Sequence, residues 1–385
     1  MRIDTKQLID NLKRLKAVAK SVTIAADGTM SARGDTGTVA QIGKPRIPEQ
    51  TQPDSRERSL CGACCTGMSK RVPQKPSDTK GVMVEIAPLL KLLGAYRGEL
   101  DVDVDGERLL IGSAGTYPLT PVPGAAVELD RPEDVFGDYF SIDGNRLAQH
   151  LALTGFAASK DPTRPMLQGV HIGSDVNGER PFTVATDTYR IMVVHSGPME
   201  GTSGNGGATD VPLNILQDAA KRGGQWEFAW DDKRGSIECD GYRATYLRDG
   251  QYPPYGKCIS APSDDVTVIG ADAVKLWASY CRHMLAVETV NVHRCALEHG
   301  ADGLTLRFSP DDKWNDELCY TVPVLRAATN APAIAVNAKY MLDMLSRCDA
   351  DLSLSLREEL NPLRFDWVAR NGLRATYVLM PMQMM

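Results

Sequence analysis

No run of apolar residues in this sequence reaches the roughly 20 that a membrane-crossing helix needs, so no such helix is expected. The opening, Met1-Arg-Ile-Asp-Thr-Lys6, lacks the apolar core and small-residue cleavage site of a signal peptide, so a cytoplasmic location is expected. A phosphate-binding loop, a nucleophile elbow and paired catalytic carboxylates are missing too. Gly201-Thr-Ser-Gly-Asn-Gly-Gly207 lacks the Lys-Ser/Thr ending that reaches phosphate and magnesium, and reads as a flexible loop. The acidic pairs Asp264-Asp265 and Asp311-Asp312 stand beside prolines, in turns where acids normally sit. No catalytic residue and no cofactor are therefore expected. Excess positive charge is also absent. A net charge of −6 excludes a uniformly basic nucleic-acid binder. A local basic surface stays open, because fields fade over about one Debye length.

The nine cysteines are an odd number at mostly irregular spacing, which argues for reduced thiols rather than a disulfide framework. Cys61-Gly-Ala-Cys64-Cys65 could begin a zinc site, but zinc takes four ligands and no second CxxC or HxxxH lies nearby. His293-Arg-Cys295-Ala-Leu-Glu-His299 sits on an alternating strand that scatters its side chains over both faces. No metal is expected from either cluster.

The 385 residues, 43% apolar and 24% charged, suit a soluble globular protein of two or three domains. A repeat decides the number. Arg374-Ala-Thr-Tyr-Val378 repeats Arg243-Ala-Thr-Tyr-Leu247, 131 residues earlier, and Tyr117 in the fainter Gly115-Thr-Tyr-Pro-Leu119 lies 129 residues before Tyr246. Val84–Leu93, Val211–Ala220 and Val336–Leu345 are matching strand-to-helix entries 127 and 125 residues apart, with apolar residues at helical period. Asp4–Leu12, Asp143–Leu151 and Gly270–Trp277 open each unit with a capping residue before an apolar-periodic helix. The pattern predicts an α+β chain of three repeated domains, each with two helices on antiparallel sheets, at 1–130, 131–258 and 259–385. The proline-rich stretches Pro121–Pro132 and Tyr252–Pro262 read as the breaks between them. The first domain is irregular. Its helix Thr5–Val22 precedes only two clear strands, around Val22–Ala26 and Thr29–Ala32, and Lys44–Lys80 reads as a long inserted loop.

The last stretch, Ala375-Thr-Tyr-Val-Leu-Met-Pro-Met-Gln-Met-Met385, is unusually apolar for a chain end. Tyr377–Leu379 reads as a strand, and the methionines after it as a buried tail or an adaptable binding surface. Basic residues gather on the six predicted helices: Lys13, Arg14, Lys20, Arg97, Arg146, Lys160, Lys221, Arg222, Lys275, Arg282, Lys339 and Arg347, with Arg164 counted beside them as a candidate DNA contact. One such helix is ordinarily a solvated face. The same bias on all six gives an acidic chain one basic surface for a polyanion, through phosphate contacts that carry no sequence information.

Five blocks resemble the bacterial DNA polymerase III beta subunit, the sliding clamp family. They are Asp161-Pro-Thr-Arg-Pro-Met-Leu-Gln-Gly169, Val184-Ala-Thr-Asp-Thr-Tyr-Arg-Ile191, Gly250-Gln-Tyr-Pro-Pro-Tyr255, Asn337-Ala-Lys-Tyr-Met-Leu-Asp343 and Tyr377-Val-Leu-Met-Pro-Met382. The resemblance implies a head-to-tail homodimeric ring that encircles double-stranded DNA without sequence preference and tethers the replicative polymerase as a processivity factor. Its implied partners are the polymerase III alpha subunit, the clamp loader and other clamp-binding-motif proteins, with no membrane involved. They would insert a peptide into a cleft between the second and third domains. Motif matching puts Leu167, Thr186, Thr188, Tyr189, Arg190, Ile191, Pro253, Lys257 and Cys258 in that cleft. From the third domain it adds Asn337, Tyr340, Leu360, Pro362, Val378, Met380, Pro381 and Met382. The family commonly has a small residue and His where this chain has Thr188-Tyr189, and often Arg-Leu where it has Gln383-Met384-Met385. The first domain departs most: the family's proline-containing strand after helix one is missing, and the insertion has no counterpart. A clamp paralogue from a phage or serving repair or inhibitor resistance is the alternative within the fold. A zinc-containing nucleic-acid enzyme using the Cys61 cluster is the alternative of another class.

Overall fold

The computed structural model describes the chain except residues 36, 44–79, 116–117, 129–134, 136, 176–178, 199–201, 249, 262, 288–293, 301–302, 309–318, 330, 359–360 and 384–385. The Lys44–Lys80 insertion with its three cysteines therefore lies almost wholly outside the described residues. Two compact units form: Met1–Glu133 with Glu238–Thr245, and Asp134–Ile237 with Tyr246–Met385.

In the first unit, α1 (Thr5–Lys16) starts where the Asp4 carboxylate accepts a hydrogen bond from the Gln7 amide at 3.0 Å. Leu8, Leu12 and Leu15 recur on one face and are buried, and α2 (Ile86–Leu93) packs alongside with Ile86, Leu89 and Leu93. One antiparallel sheet runs Arg2–Asp4, Glu99–Asp105, Arg108–Ser113, Thr120–Pro123. A second runs from Ala125–Glu128 through Lys80–Glu85, Ser21–Ala25 and Met30–Arg33 to Val39–Ile42, which pairs Ile42 with Tyr242 and Val39 with Thr245.

Three expectations need correction here. Helix α1 ends at Lys16, because Val22 is drawn into the sheet by pairing with Val84. A third early strand exists, Val39–Ile42, where only two were expected. Pro121–Pro132 is not simply a break, since Thr120–Pro123 and Ala125–Glu128 are edge strands. A proline is tolerated at a sheet edge, because the amide it lacks would face solvent rather than a ladder partner.

In the second unit, α3 (Gly144–Thr154) is capped by the Asp143 carboxylate, which accepts from the amides of Asn145 and Arg146 at 3.0 and 3.1 Å. Helix α4 (Leu213–Ala220) packs against it. Helices α5 (Ala271–Val287) and α6 (Ala338–Leu345) form the corresponding pair, with Asn337 capping α6. All six helices that the repeat predicts are thus present. The Gly201–Gly207 stretch is partly ordered in the sheet rather than simply a loop, because Ser203–Gly204 pairs with Phe140 and Ser141.

The central element is an eight-stranded antiparallel sheet. Its order is Gly207–Pro212, Gly169–Ser174, Pro181–Thr186, Arg190–His195, Arg374–Leu379, Leu363–Val368, Leu352–Ser355, Thr267–Ile269. A four-stranded sheet of Cys319–Val322, Gly303–Phe308, Arg294–Gly300 and Ile334–Asn337 accompanies it. The repeated tyrosines Tyr246 and Tyr377 are both buried in this unit. Tyr246 Oη lies 3.2 Å from Thr209 Oγ1, and Tyr377 Oη donates to the Tyr340 carbonyl at 3.0 Å.

His150 on α3 is fully buried, with Nε2 2.8 Å from Ser196 Oγ and Nδ1 3.2 Å from Thr183 Oγ1. Burial, helped by the charges of Arg146 and His195, pushes its pKa from 6.5 down to about 3. Between those values the unfolded chain binds a proton that the native ring refuses, so stability is full above the unfolded pKa and falls with pH below it. Between pH 7 and pH 5 this single group removes about 2 kcal/mol, and His150→Gln should flatten the pH dependence of urea unfolding by that amount.

Candidate functional site

The site forms where two sequence-distant strands meet. Arg190–His195 pairs antiparallel with Arg374–Leu379, placing Arg190 opposite Leu379 and Ile191 opposite Val378. Strand side chains alternate between faces, so Ile191, Val193 and Val378 share one face. With Val184 of the adjoining strand, Leu167 and Tyr252 they make a buried apolar cluster, and Met166, Phe182, Tyr255 and Ile259 pack at its margin. The opposite face holds Met192, Val194 and Tyr377, buried as well. Of the predicted cleft residues, Leu167, Ile191 and Val378 are therefore brought together as an apolar floor. Tyr252, Val184 and Val193 were missed. Val193 and Val184 could have been found from the period-two alternation, and Tyr252 from its place in Tyr252-Pro-Pro-Tyr255.

The hairpin turn beside this floor is held by its own side chains. Asp187 Oδ1 accepts from the amides of Tyr189 and Arg190, both at 3.1 Å. Thr186 Oγ1 donates to the Arg190 carbonyl at 2.7 Å and accepts from the Thr188 amide at 3.1 Å. Thr188 sits at φ 80°, a left-handed conformation that costs a β-branched residue about 1–3 kcal/mol. Tyr189 projects outward, 61% exposed, and stacks on Tyr340 with ring centroids 6.3 Å apart.

Arg190 is buried, 7% exposed. Its Nε donates to Asp187 at 2.9 Å, Nη1 to Asp343 of α6 at 2.7 Å, and Nη2 to the Phe156 carbonyl at 3.1 Å. The guanidinium also lies 4.3 Å from the Tyr340 ring centre and 5.2 Å from that of Phe156. Burial works against its charge, yet the surrounding Tyr377, Asp343 and Asp187 outweigh it and hold its pKa above the usual arginine value. Arg190 thus clamps the turn to α6 and is unavailable as a free surface charge.

The terminal run is pinned at its backbone. The Met380 amide donates to the Tyr189 carbonyl at 2.9 Å and the Met382 amide to the Ala335 carbonyl at 2.7 Å. Met380 keeps 43% exposure, while Pro381 and Met382 are half-buried. Pro253, Tyr340 and Pro362 are half-buried, and Lys257 and Cys258 are exposed on the short helix Tyr255–Cys258. Asn337 spends its side-chain oxygen on the amides of Lys339 and Tyr340 at 3.0 and 3.2 Å, as the cap of α6. Leu360 lies outside the described residues.

The expectation that the basic residues sit on the helices needs correction. Lys13, Arg14, Arg146, Lys275, Arg282 and Lys339 lie within α1, α3, α5 and α6. Lys20, Arg97, Lys160, Lys221, Arg222 and Arg347 fall past helix ends and Arg164 precedes the short turn Pro165–Leu167, because the helices stop earlier than the charge pattern suggests. The set also divides by exposure. Lys13, Lys20, Arg97, Lys160, Arg164, Lys221, Arg282 and Lys339 are exposed. Arg14 corrects the expectation of a uniformly solvated set: it is buried, its guanidinium 4.4 Å from the ring centre of Tyr242. Arg222 pairs with Asp218 at 3.0 Å and Lys275 with Asp272 at 2.9 Å, while Arg146 reaches Gln149 at 2.9 Å. Arg347 lies over the Phe156 ring at 4.2 Å. Among the described residues no group of three His, Cys, Asp or Glu side chains is placed to hold a metal, and no helix is long and apolar enough to cross a membrane.

No family model matches the sequence. The beta sliding clamp of Synechococcus elongatus is 26% identical over 260 residues, 63% of this chain and 65% of the relative. That of Synechocystis is 26% identical over 249 residues, 60% and 61% of the two chains. The matched region thus spans less than two thirds of these relatives. The fold is matched along nearly its whole length. The DNA polymerase III beta subunit of Thermotoga maritima superposes at a TM-score of 0.75 with 17% identity, covering 99% of this chain and 98% of the other. That of Streptococcus pyogenes gives 0.73 and 14%, covering 99% of each chain.

Removing the Arg190 side chain leaves Asp187 in a half-closed polar pocket and unties the turn from α6. Arg190→Ala should lower the urea-unfolding free energy by about 3 kcal/mol, the usual cost of breaking a buried ion pair. Asp343→Asn should cost less than half as much, because Asp343 is 37% exposed.

Proposed function

We propose that this chain, which sequence and fold together support as a member of the beta sliding clamp family, is a DNA sliding clamp and processivity factor. The observation that carries the reading is the coincidence of the repeated α+β fold with a terminal run held by its backbone next to an apolar cluster. In this reading the chain has three domains, at 1–130, 131–258 and 259–385, and two copies close head to tail into a ring. A heterologous contact that closes after two copies gives a ring rather than a filament. The ring encircles duplex DNA with its helices inward. Lys13, Lys20, Arg97, Lys160, Arg164, Lys221, Arg282 and Lys339 supply exposed positive charge for phosphates. Contacts of that kind are weak and indifferent to sequence, which suits sliding.

The ring tethers a polymerase by raising its effective concentration at the primer end. Its partners, the polymerase III alpha subunit, the clamp loader and related proteins, seat a short peptide across the Leu167–Ile191–Val378 floor. The exposed Met380 and half-buried Met382 line the entrance. Methionine adapts to several ligands at little cost, as a surface shared by many partners requires. The chain itself carries no catalytic role and works in the cytoplasm.

Two measurements test this. Size-exclusion chromatography with light scattering should give twice the 41.9 kDa chain mass, and a monomer at micromolar concentration would contradict the ring. Deleting Met380–Met385 should abolish binding of a polymerase-derived peptide while leaving the dimer mass unchanged. The exposed-site variant Met380→Asp should weaken it at least about tenfold, the effect of about 1.4 kcal/mol. Peptide binding that survives both changes would remove the terminal run from the cleft.

A further inference from the structure

The face of the central sheet that carries the apolar cluster continues beyond it. Cross-strand partners form successive rows: Thr186, Ile191, Val378 and Arg364; then Val184, Val193, Thr376 and Asp366; then Phe182, His195, Arg374 and Val368. The rows lie two residues apart along each strand, so all three share one face. The last row lines an open groove. Aromatic contacts connect it to the cluster: His195 lies 5.9 Å from Phe182, Phe182 6.0 Å from His171, and His171 stacks on Tyr252 at 4.6 Å.

The charges in this groove are almost all satisfied. Asp366 forms a fork with Arg364 at 2.7 and 2.9 Å and accepts from Thr376 Oγ1 at 2.7 Å. Asp175 faces Arg180 at 3.8 Å, and Asp351 accepts from the Ala271 amide at 2.9 Å. Arg374 differs. It is exposed, and among the described residues it forms no ion pair. The charge interaction found for it is with His195, whose pKa is lowered by burial and then by this guanidinium. Beside Arg374 stands Val368, 57% exposed. An uncompensated guanidinium next to an exposed apolar side chain matches a carboxylate carried on a peptide.

We propose that the groove is a second subsite, on the same sheet face as the apolar floor, in which Arg374 binds an acidic side chain of the peptide that occupies the cleft. The proposal rests on the cleft reading above. Val378 and Arg374 are four residues apart on one strand, about 13 Å at the usual rise, so an extended peptide places its Asp or Glu about four residues from its apolar anchor.

Random dodecapeptides displayed on phage, selected against the intact protein, test it. The expected result is an apolar anchor with Asp or Glu enriched about four residues away on one side. A synthetic peptide of the selected sequence should bind at least about tenfold more tightly than its Glu→Gln counterpart, the scale of one charge-assisted hydrogen bond. On Arg374→Gln the anchor should still be selected, but the acid preference and the affinity difference should vanish, and Arg374→Lys should restore part of both. Anchored peptides without acid enrichment, or enrichment unchanged on Arg374→Gln, would overturn the subsite alone. Failure to select any anchored peptide, with Met380→Asp making no difference, would overturn the cleft reading and the subsite with it.

Discussion

Everything at the candidate site depends on one strand pairing, Arg190–His195 against Arg374–Leu379. The two strands are far apart in sequence, and joining them turns two four-stranded halves into one eight-stranded sheet. The pairing must be in register to have any effect. Ile191 opposite Val378 puts both into the apolar cluster, whereas a slip of one residue would turn Tyr377 to that face and expose the cluster to water. The same register delivers the end of the chain to the turn at Tyr189, where the Met380 amide finds its acceptor.

The two faces of this sheet do different work. On one, Tyr377 is buried against Phe156 and donates to the Tyr340 carbonyl, while Arg190 closes the polar gap between the turn and α6. Such a buried cation is tolerable because each of its three nitrogens meets an oxygen, two of them carboxylates. On the other face the side chains are aliphatic and aromatic near the terminal run, and become charged toward Arg374. The inner face is thus held rigid by a polar clamp and the outer face by apolar packing, with Tyr189 and Met380 exposed beside the cluster.

Much of this was legible in the sequence. The three capped helix openings and the three strand-to-helix entries marked all six helices, because capping and helical periodicity are local signals. Leu167, Ile191 and Val378 were placed together through the resemblance, and the sheet brings them into one cluster. What stayed hidden was non-local or contextual. The sequence showed the Tyr377 strand but not its neighbour, since register between distant strands leaves no local trace. Thr120–Pro123 passed for a break because proline ordinarily ends strands, and only its position at a sheet edge makes it acceptable. Arg14 looked solvated because its helix is otherwise basic, whereas Tyr242, far away in sequence, covers it. Thr188 adopts a strained left-handed conformation that its sequence does not announce, with Asp187 and Thr186 fixing the turn from either side.

The proposed function is topological: the proposed ring would hold DNA by enclosing it rather than by gripping its phosphates. It is tested by loading the protein onto nicked circular DNA with a clamp loader, isolating the complex at high salt, and then linearising the DNA with a restriction enzyme. The account predicts that protein stays with the circle in salt that screens phosphate contacts, and is lost when an end is created. Equal retention on circular and linear DNA, or loss from both as salt rises, would contradict it.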